Sequence, residues 1–495
     1  MRKIVLSTVT ILTLLFISCD KNKDEPQEPE VEVELNNKIN DFVWRGMNTH
    51  YYWQQEIADL ADTKNDDTNE YYTYLNGYSN PKDLFESLIF DKGNTDRNSV
   101  FIEDYRASDA SRRGVNDTYG FEFGLSYVSE GSDKVIGYVK YVVPNSPADE
   151  AGVKRGDVFN SVNGTEMTDS NYSLFIDAYY NQTTMSLGFA KFENGEFVSN
   201  GVDVDLTITE IVENPVYYSS VINHGGTKVG YLVYNSFKYT FHKELNDVFG
   251  TFKSEGIQEL VLDLRYNGGG TGLTSAYLCS MIYGNASENE VLAKVIHNSK
   301  NSDDNYYYPF FDTGRIYNID GEYNGEDVSL NRLTSLNKLY VIVSGDTASA
   351  SELLINGLRP YFGDSNVILI GTTTYGKNVG SFTIYDSPDF GPDNINPDHY
   401  NAIQPISLKI FNKLDQSDYT NGFDPDIEET EYILEMQPFG DVNEPLLKLA
   451  LDDISGVGAK TNNLKRLQIG LKGISSSFDK KPVSRELYFL PDELK

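Results

Sequence analysis

The chain has 495 residues and carries 41 lysines and arginines against 74 aspartates and glutamates, a formal net charge of −33. Its 39% hydrophobic content is ordinary for a globular protein, and its length is sufficient for about three domains, each with its own core. So acidic a chain repels nucleic acid and anionic lipid, and no basic stripe opposes that field, which excludes a nucleic-acid-binding protein.

The first 19 residues predict a signal peptide. Arg2 and Lys3 precede an apolar run, residues 4–17, that is too short to span a bilayer. The ending LFISC resembles a bacterial lipobox, and that resemblance implies that Cys19 is the lipidated first residue of the mature protein. We therefore expect an extracytoplasmic protein that is lipid-anchored to a bacterial membrane, in the periplasm or at the cell surface.

An acidic linker and a helical domain follow. Residues 20–35, DKNKDEPQEPEVEVEL, combine glutamates and prolines without an aromatic residue, which is typical of an extended, solvated tether. Residues 36–112 predict a helical N-terminal domain. Their apolar residues recur at helical spacing from Ile39 to Met47, and a second apolar group lies at 83–89.

Residues 113–212 change to short strands and turns and resemble a PDZ domain. The specific part is 144–158, PNSPADEAGVKRGDV, which indicates a short helix, a glycine C-cap and a tight Gly-Asp turn into a strand. Thr118 stands where PDZ loops of this type often have glycine. The sequence therefore predicts the PDZ fold but leaves open whether the loop prefers a carboxylate. Three residues match the loop whose N–H groups receive a peptide's terminal carboxylate: Tyr119, Gly120 and Phe121.

Residues 213–455 alternate strands and helices, which indicates a layered α/β domain with a mostly parallel core. Residues at the carboxyl ends of such strands usually form the active site. The tail, residues 456–495, shows no interpretable pattern. Strands are predicted at 229–237, 260–264 and 339–343, and helices around 245–252 and after Gly272.

Residues 347–352, TASASE, together with Lys377 indicate nucleophilic chemistry. A serine hydroxyl needs an adjacent base, and a neutral lysine 28 residues after Ser349 could serve. The lysine pKa must then fall by roughly 3 units, which requires a desolvated pocket, and the apolar run 367–371 favours one. Alternatively, the small residues simply begin a helix, with Glu352 facing the positive end of its dipole.

A glycine-rich turn is the third element. Residues 260–265, LVLDLR, predict a buried strand that runs into residues 267–270, NGGG. Backbone N–H groups in such a turn can form half of an oxyanion hole, with the N–H of Ala350 as the other half. A plain tight turn is the simpler interpretation.

These motifs, in this order, resemble those of the C-terminal-processing (tail-specific) peptidases, serine proteases with a Ser-Lys dyad and an embedded PDZ domain. The chain reads DLRYNGGG, TASASE and TYGK where the family has similar patterns. The resemblance implies that Ser349 is the nucleophile, Lys377 the general base, and the N–H groups of Gly269 and Ala350 the oxyanion donors. It also implies that Thr374 orients the lysine.

The resemblance further implies a catalytic domain of the ClpP/crotonase type and protein or peptide substrates with free C-termini. Family members often carry a glutamine four residues after the lysine, where this chain has Ser381, so a dyad and a triad both stay open. A catalytically silent PDZ-containing scaffold is the rival hypothesis. No cofactor or metal is expected, Cys279 is predicted to be a buried core residue, and membrane contact is expected only through the lipid anchor. The oligomeric state is left open.

Overall fold

A computed structural model of the protein describes residues 32–457, 473–479 and 484–490. The predicted signal peptide, Cys19 and most of the predicted acidic linker lie outside these residues. Among the helices of the described ranges, none is both long and apolar enough to cross a membrane.

The N-terminal region is mainly helical, as predicted. It comprises α1 (Lys38–His50), α2 (Thr68–Asn76), α3 (Pro81–Ser87), β1 (Val100–Ile102) and α4 (Tyr105–Arg112). Asn37 caps α1 by accepting the N–H of Ile39, and the apolar face of the helix is buried through Phe42 and Met47. Those side chains share one core with Ile403, which lies far along the chain. The N-terminal region is therefore packed directly against the α/β region.

The next region is β-rich and has the predicted PDZ features. Its elements are β2 (Val115–Thr118), β3 (Phe121–Tyr127), β4 (Val135–Val142), α5 (Pro147–Glu150), β5 (Val158–Val162), β6 (Thr165–Glu166), α6 (Ser173–Asn181), β7 (Thr184–Glu193), β8 (Glu196–Thr207) and β9 (Thr209–Val212). The antiparallel sheet has the order β3-β4-β5-β7-β8. Aromatic packing holds α6 on this sheet, since Phe175 contacts Phe123 and Phe159. The short helix predicted from the sequence is α5, and the strand after it is β5.

The α/β region contains most of the remaining elements. They are β10 (Val216–His224), β11 (Thr227–Tyr234), α7 (His242–Glu255), β12 (Glu259–Asp263), β13 (Gly270–Thr271), α8 (Gly272–Ile282), β14 (Val291–His297), β15 (Tyr306–Pro309), β16 (Thr313–Tyr317), β17 (Tyr323–Ser329), β18 (Leu339–Val343), α9 (Ala350–Phe362), β19 (Val367–Gly371), β20 (Val379–Ser381), β21 (Ile384–Tyr385), β22 (Ala402–Gln404), β23 (Ile406–Asn412), β24 (Ile427–Glu428) and α10 (Pro445–Ile454). The predicted strands and helices are all present, with small differences in their bounds.

Two six-stranded sheets form the layers of this region. The first has the order β10-β11-β12-β18-β19-β24 and is parallel from β11 onward. One of its faces shares a core with α7, α8 and α9, and the other packs on α10. Cys279 of α8 is fully buried in the first core, as predicted, and burial raises the pKa of its thiol. The second sheet packs against the same helices and reaches the tail of the chain.

The tail contributes two strands that the sequence did not predict. They are β25 (Gly473–Ser476) and β26 (Leu487–Tyr488). β25 pairs with β3 of the PDZ region, while β26 lies between β13 and β20 in the second sheet, whose order is β13-β26-β20-β23-β14-β15. Leu487 and Phe489 are buried in the core of the α/β region. The tail therefore contacts both the PDZ region and the strands beside the candidate site.

Buried charges join the PDZ region to the α/β region. The Arg265 guanidinium binds Asp263, Glu431 and Glu444, and Arg155 of the PDZ region binds the same Glu431. Arg265 is 1% exposed. Because each carboxylate in this cluster has an arginine partner, the desolvation of these charges is compensated.

Candidate active site

Ser349 lies in the turn between β18 and α9, at the carboxyl edge of the parallel sheet. Its φ of 65° and ψ of −111° are an unfavourable conformation for a residue with a side chain. Strain of this kind is common where a nucleophile is held at a sharp turn between a strand and a helix. The side chain is fully buried, and its Oγ has no hydrogen-bond partner within the described ranges.

Glu352 holds the serine turn to the lysine loop. Its carboxylate accepts the backbone N–H groups of Ser349 at 2.8 Å, Gly376 at 2.7 Å and Lys377 at 2.8 Å. It also accepts the hydroxyl of Thr374 at 2.6 Å. Burial raises the pKa of Glu352, while these four hydrogen bonds favour its charged form. One buried carboxylate thus positions both parts of the predicted dyad.

Lys377 is 2% exposed and has the electrostatic character that a general base requires. Burial lowers the pKa of its amine from 10.5 to about 8, although Glu486, Asp96 and Glu352 oppose that change. The fall in pKa has the direction that a lysine base needs. The Lys377 Nζ donates to the carbonyl oxygen of Arg485 at 2.8 Å. No hydrogen bond joins Lys377 to Ser349 here, because the Ser349 Oγ has no partner within the described ranges.

The glycine turn approaches Ser349 closely. Gly269 has a φ of 117°, and a Cβ at this position would lie 2.8 Å from the Ser349 Cβ and 3.2 Å from the Ala350 nitrogen. Only glycine therefore leaves space beside the nucleophile. The two proposed oxyanion donors, the N–H groups of Gly269 and Ala350, are neighbours. The N–H of Gly269 donates to the Asn267 side chain at 2.9 Å in this structure.

Ser381 is buried beside a second polar cluster. Its Oγ accepts Gln404 Nε2 at 2.9 Å, and Gln404 Oε1 accepts Arg112 at 2.5 Å. Arg112 also binds the carboxylate of Glu486. A glutamine is thus present beside Ser381, although it comes from β22 rather than from the position four residues after Lys377. Thr374, which the resemblance links to the lysine, binds Glu352 instead.

The predicted carboxylate loop of the PDZ region is largely buried. Tyr119 and Phe121 are each 1% exposed, and Gly120 has a φ of 86°. The N–H of Gly120 donates to the Thr118 hydroxyl at 3.0 Å. The Thr118 hydroxyl therefore accepts a hydrogen bond from one of the N–H groups that a peptide carboxylate would use.

A cavity of about 730 Å³ lies between the PDZ loop, the N-terminal region and the glycine turn. Tyr119 and Gly269 both line it, so it connects the two predicted sites. Ser484 and Glu486 of the tail also line it, whereas Ser349 and Lys377 are not among the described residues that do. The tail covers the glycine turn closely, because a Cβ at Gly268 would lie 1.8 Å from the Ser484 carbonyl oxygen.

Sequence reasoning missed three contributors to this site. The sequence predicts Glu352 only as a charge in the first turn of a helix, although its place in an otherwise apolar or small-residue segment indicates a buried residue. Gln404 ends a short apolar strand, and nothing in the neighbouring sequence predicts that it lies at the site. Arg485 lies in the tail, where no pattern was found.

Three family models match the chain. Residues 228–428 match Peptidase family S41, residues 38–101 match the Peptidase S41 N-terminal domain, and residues 138–173 match a PDZ domain. A crystal structure assigned to the S41 proteases, from Bacteroides fragilis NCTC 9343, is 26% identical with a TM-score of 0.63, over 87% of this chain and 100% of that one.

Two curated relatives are more distant. The chloroplastic C-terminal processing peptidase of Tetradesmus obliquus is 24% identical over 288 residues, or 56% of this chain. The carboxy-terminal processing protease CtpA of Bacillus subtilis is 24% identical over 333 residues, or 66% of this chain. The matched parts span 55% and 62% of these two relatives.

Proposed function

Because the chain belongs to the S41 peptidase family, we propose that it is a serine endopeptidase that cleaves protein substrates near their C-termini. The observation that carries this proposal is the arrangement around Glu352. One buried carboxylate holds a strained serine turn and a lysine whose pKa is lowered to about 8. A lysine with that pKa is partly neutral at physiological pH and can accept a proton.

The reaction follows from these groups. Ser349 Oγ attacks the scissile carbonyl carbon, and its proton passes to the neutral amine of Lys377. The oxyanion is stabilised by the N–H groups of Gly269 and Ala350, for which the Gly269 N–H must leave Asn267. The protonated lysine then gives its proton to the leaving amine as the peptide bond breaks. Water hydrolyses the acyl-enzyme with Lys377 again as the base.

The direct test compares the wild type with Ser349→Ala. A fluorophosphonate probe should label the wild type at Ser349, and the wild type should degrade an unstructured protein such as casein. Ser349→Ala should do neither while keeping the same circular dichroism spectrum, because the change removes only one oxygen. Casein hydrolysis that persists in purified Ser349→Ala would rule out this mechanism.

The rival function is a binding scaffold in which the α/β region is silent. The observation in its favour is that Lys377 is bonded to the tail rather than to Ser349. A scaffold would remain unlabelled by the probe under every condition, including high pH and excess peptide. Labelling of Ser349 under any of these conditions would exclude it.

For location, we propose that Cys19 is lipidated and anchors the enzyme outside the cytoplasm. Support comes from the basic start, the short apolar run and the LFISC ending of residues 1–19. Cells grown with an alkyne-tagged fatty acid should incorporate the tag into the wild type and not into Cys19→Ser. Equal tagging of both proteins would contradict the lipid anchor.

A further inference from the structure

The described tail residues 473–479 occupy the edge of the PDZ sheet. β25 is antiparallel to β3, with Gly473 opposite Ser126 and Ser476 opposite Gly124. The Tyr180 hydroxyl of α6 donates to the Ser477 carbonyl at 2.6 Å, and Ile474 packs against the PDZ core. The tail therefore lies along β3 and reaches α6, as a bound peptide would.

The direction of β25 is that of a PDZ ligand. A peptide that augments a PDZ sheet pairs with the strand after the carboxylate loop and ends at that loop. β25 runs toward residues 119–121, because Ser476 pairs nearer to the loop than Gly473 does. The Ser477 hydroxyl also bonds to the backbone of Phe123. A substrate's C-terminal strand and β25 thus compete for the same backbone groups.

The second described tail segment contacts the catalytic groups. The Arg485 carbonyl accepts Lys377 Nζ, and the Glu486 carbonyl accepts the N–H of Gly270 at 2.7 Å. The Ser349 Oγ has no hydrogen-bond partner within the described ranges, so the lysine amine contacts the tail and makes no hydrogen bond to the nucleophile.

Asp346 links the two tail segments, three residues before the nucleophile. Its carboxylate binds Lys140 of β4 at 2.5 Å and the Arg485 guanidinium at 3.0 Å. Lys140 also donates to Ser476, and Arg485 also binds Asp479. A change in the position of β25 therefore reaches Arg485 through the Lys140–Asp346 and Asp346–Arg485 ion pairs.

We propose that residues 473–479 are an internal ligand of the PDZ groove, and that an extended peptide with a free C-terminus displaces them and so frees Lys377 for Ser349. This proposal rests on the proposed peptidase function. Strand β26 stays in place, because Leu487 and Phe489 belong to the buried core. The change is confined to residues 473–479 and to the contacts of Arg485.

A disulfide that locks β25 onto β3 tests the proposal. Ser126→Cys with Gly473→Cys places two thiols on directly paired residues of adjacent strands, whose Cβ atoms lie about 4.5–5.5 Å apart, at the long end of disulfide geometry. A Cβ at Gly473 meets nothing within 4 Å, so the cysteine fits. The full chain would carry Cys19→Ser to prevent mispairing, and Cys279 is fully buried. The two single-cysteine chains control for oxidation itself.

We expect the oxidised double variant to hydrolyse casein at least about tenfold more slowly than the same protein after reduction, because a locked groove excludes the substrate strand. The single-cysteine chains should not change. Equal turnover before and after reduction, with the disulfide confirmed by mass spectrometry, would overturn the proposal.

A second variant weakens β25 instead. Ile474→Asp places a charge against the PDZ core, and Val202→Asp on β8 is its matched control because Val202 is 50% exposed. A fluorescein-labelled peptide with the sequence of residues 473–479 should bind Ile474→Asp about tenfold more tightly than the wild type or the control, since an internal ligand competes at a high effective concentration.

The two readouts separate the two ideas. If the chain is no peptidase, neither the wild type nor any variant hydrolyses casein. Peptide binding alone then decides whether residues 473–479 occupy the groove. Equal peptide affinity for Ile474→Asp and wild type would overturn the proposal even if casein were cleaved. Tighter binding together with faster casein hydrolysis supports both.

Discussion

Replacement of Lys377 by methionine should abolish hydrolysis and stabilise the protein. The lysine is 2% exposed, and burial lowers its pKa from 10.5 to about 8. That difference corresponds to about 3 kcal/mol by which the charged amine disfavours the folded state at neutral pH. Methionine has a similar length without the charge, but it leaves the Arg485 carbonyl without its donor, which costs about 1 kcal/mol. The expected net gain is about 2 kcal/mol at pH 7.

The sign of the pH dependence follows from the lowered pKa. Below pH 8 the lysine is charged in both the folded and the unfolded protein, so the wild type carries the full penalty. Between pH 8 and 10.5 the folded protein has lost the proton that the unfolded protein still binds, so wild-type stability rises with pH. The advantage of Lys377→Met should therefore shrink over this range and disappear above it.

Urea unfolding at pH 7 and pH 10, followed by tryptophan fluorescence, measures this difference. Ser349→Ala serves as an inactive control without the charge effect, and Lys377→Arg as a control that keeps the charge. The casein turnover of the wild type should rise about tenfold from pH 7 to pH 9 as the neutral fraction of the lysine increases. A methionine variant that is less stable than the wild type at both pH values would refute the assignment of Lys377 as a buried, destabilised base.

Three other predictions concern the surroundings of the dyad. Ser381→Ala should reduce turnover by about 10- to 100-fold without changing KM if the Ser381–Gln404 pair positions Lys377, and an unchanged rate would show that a bare dyad suffices. Gly269→Ala should lower kcat by at least about 100-fold and also lower the unfolding midpoint, because Gly269 has a φ of 117° and the new Cβ would lie 2.3 Å from the Glu486 carbonyl oxygen and 2.8 Å from the Ser349 Cβ; wild-type kcat would contradict the oxyanion assignment. Amidation of a substrate peptide should weaken its binding to Ile474→Asp if the PDZ loop captures a carboxylate. Equal affinity of the free-acid and amide peptides would show that the loop with Thr118 no longer captures a carboxylate.

The two candidate catalytic side chains, Ser349 and Lys377, could be located in the sequence because short, local patterns carry them. TASASE and TYGK each place one reactive residue in a turn after an apolar strand, and the parallel α/β order brings the carboxyl ends of those strands together. The PDZ segment could be predicted for the same reason, since its turn glycines and helix cap are local requirements of the backbone. The architecture and the candidate nucleophile and base therefore followed from local sequence patterns and from the order of strands and helices along the chain.

Only the tertiary structure decided how these groups are held and what covers them. The four hydrogen bonds to Glu352 come from two loops that are more than 20 residues apart, and Gln404 reaches Ser381 from another strand. β25 and β26 have four and two residues, too few to show a hydrophobic period. β25 pairs with β3, about 350 residues earlier in the chain. Such pairing depends on unfilled backbone groups at a sheet edge, which exist only once the sheet has formed.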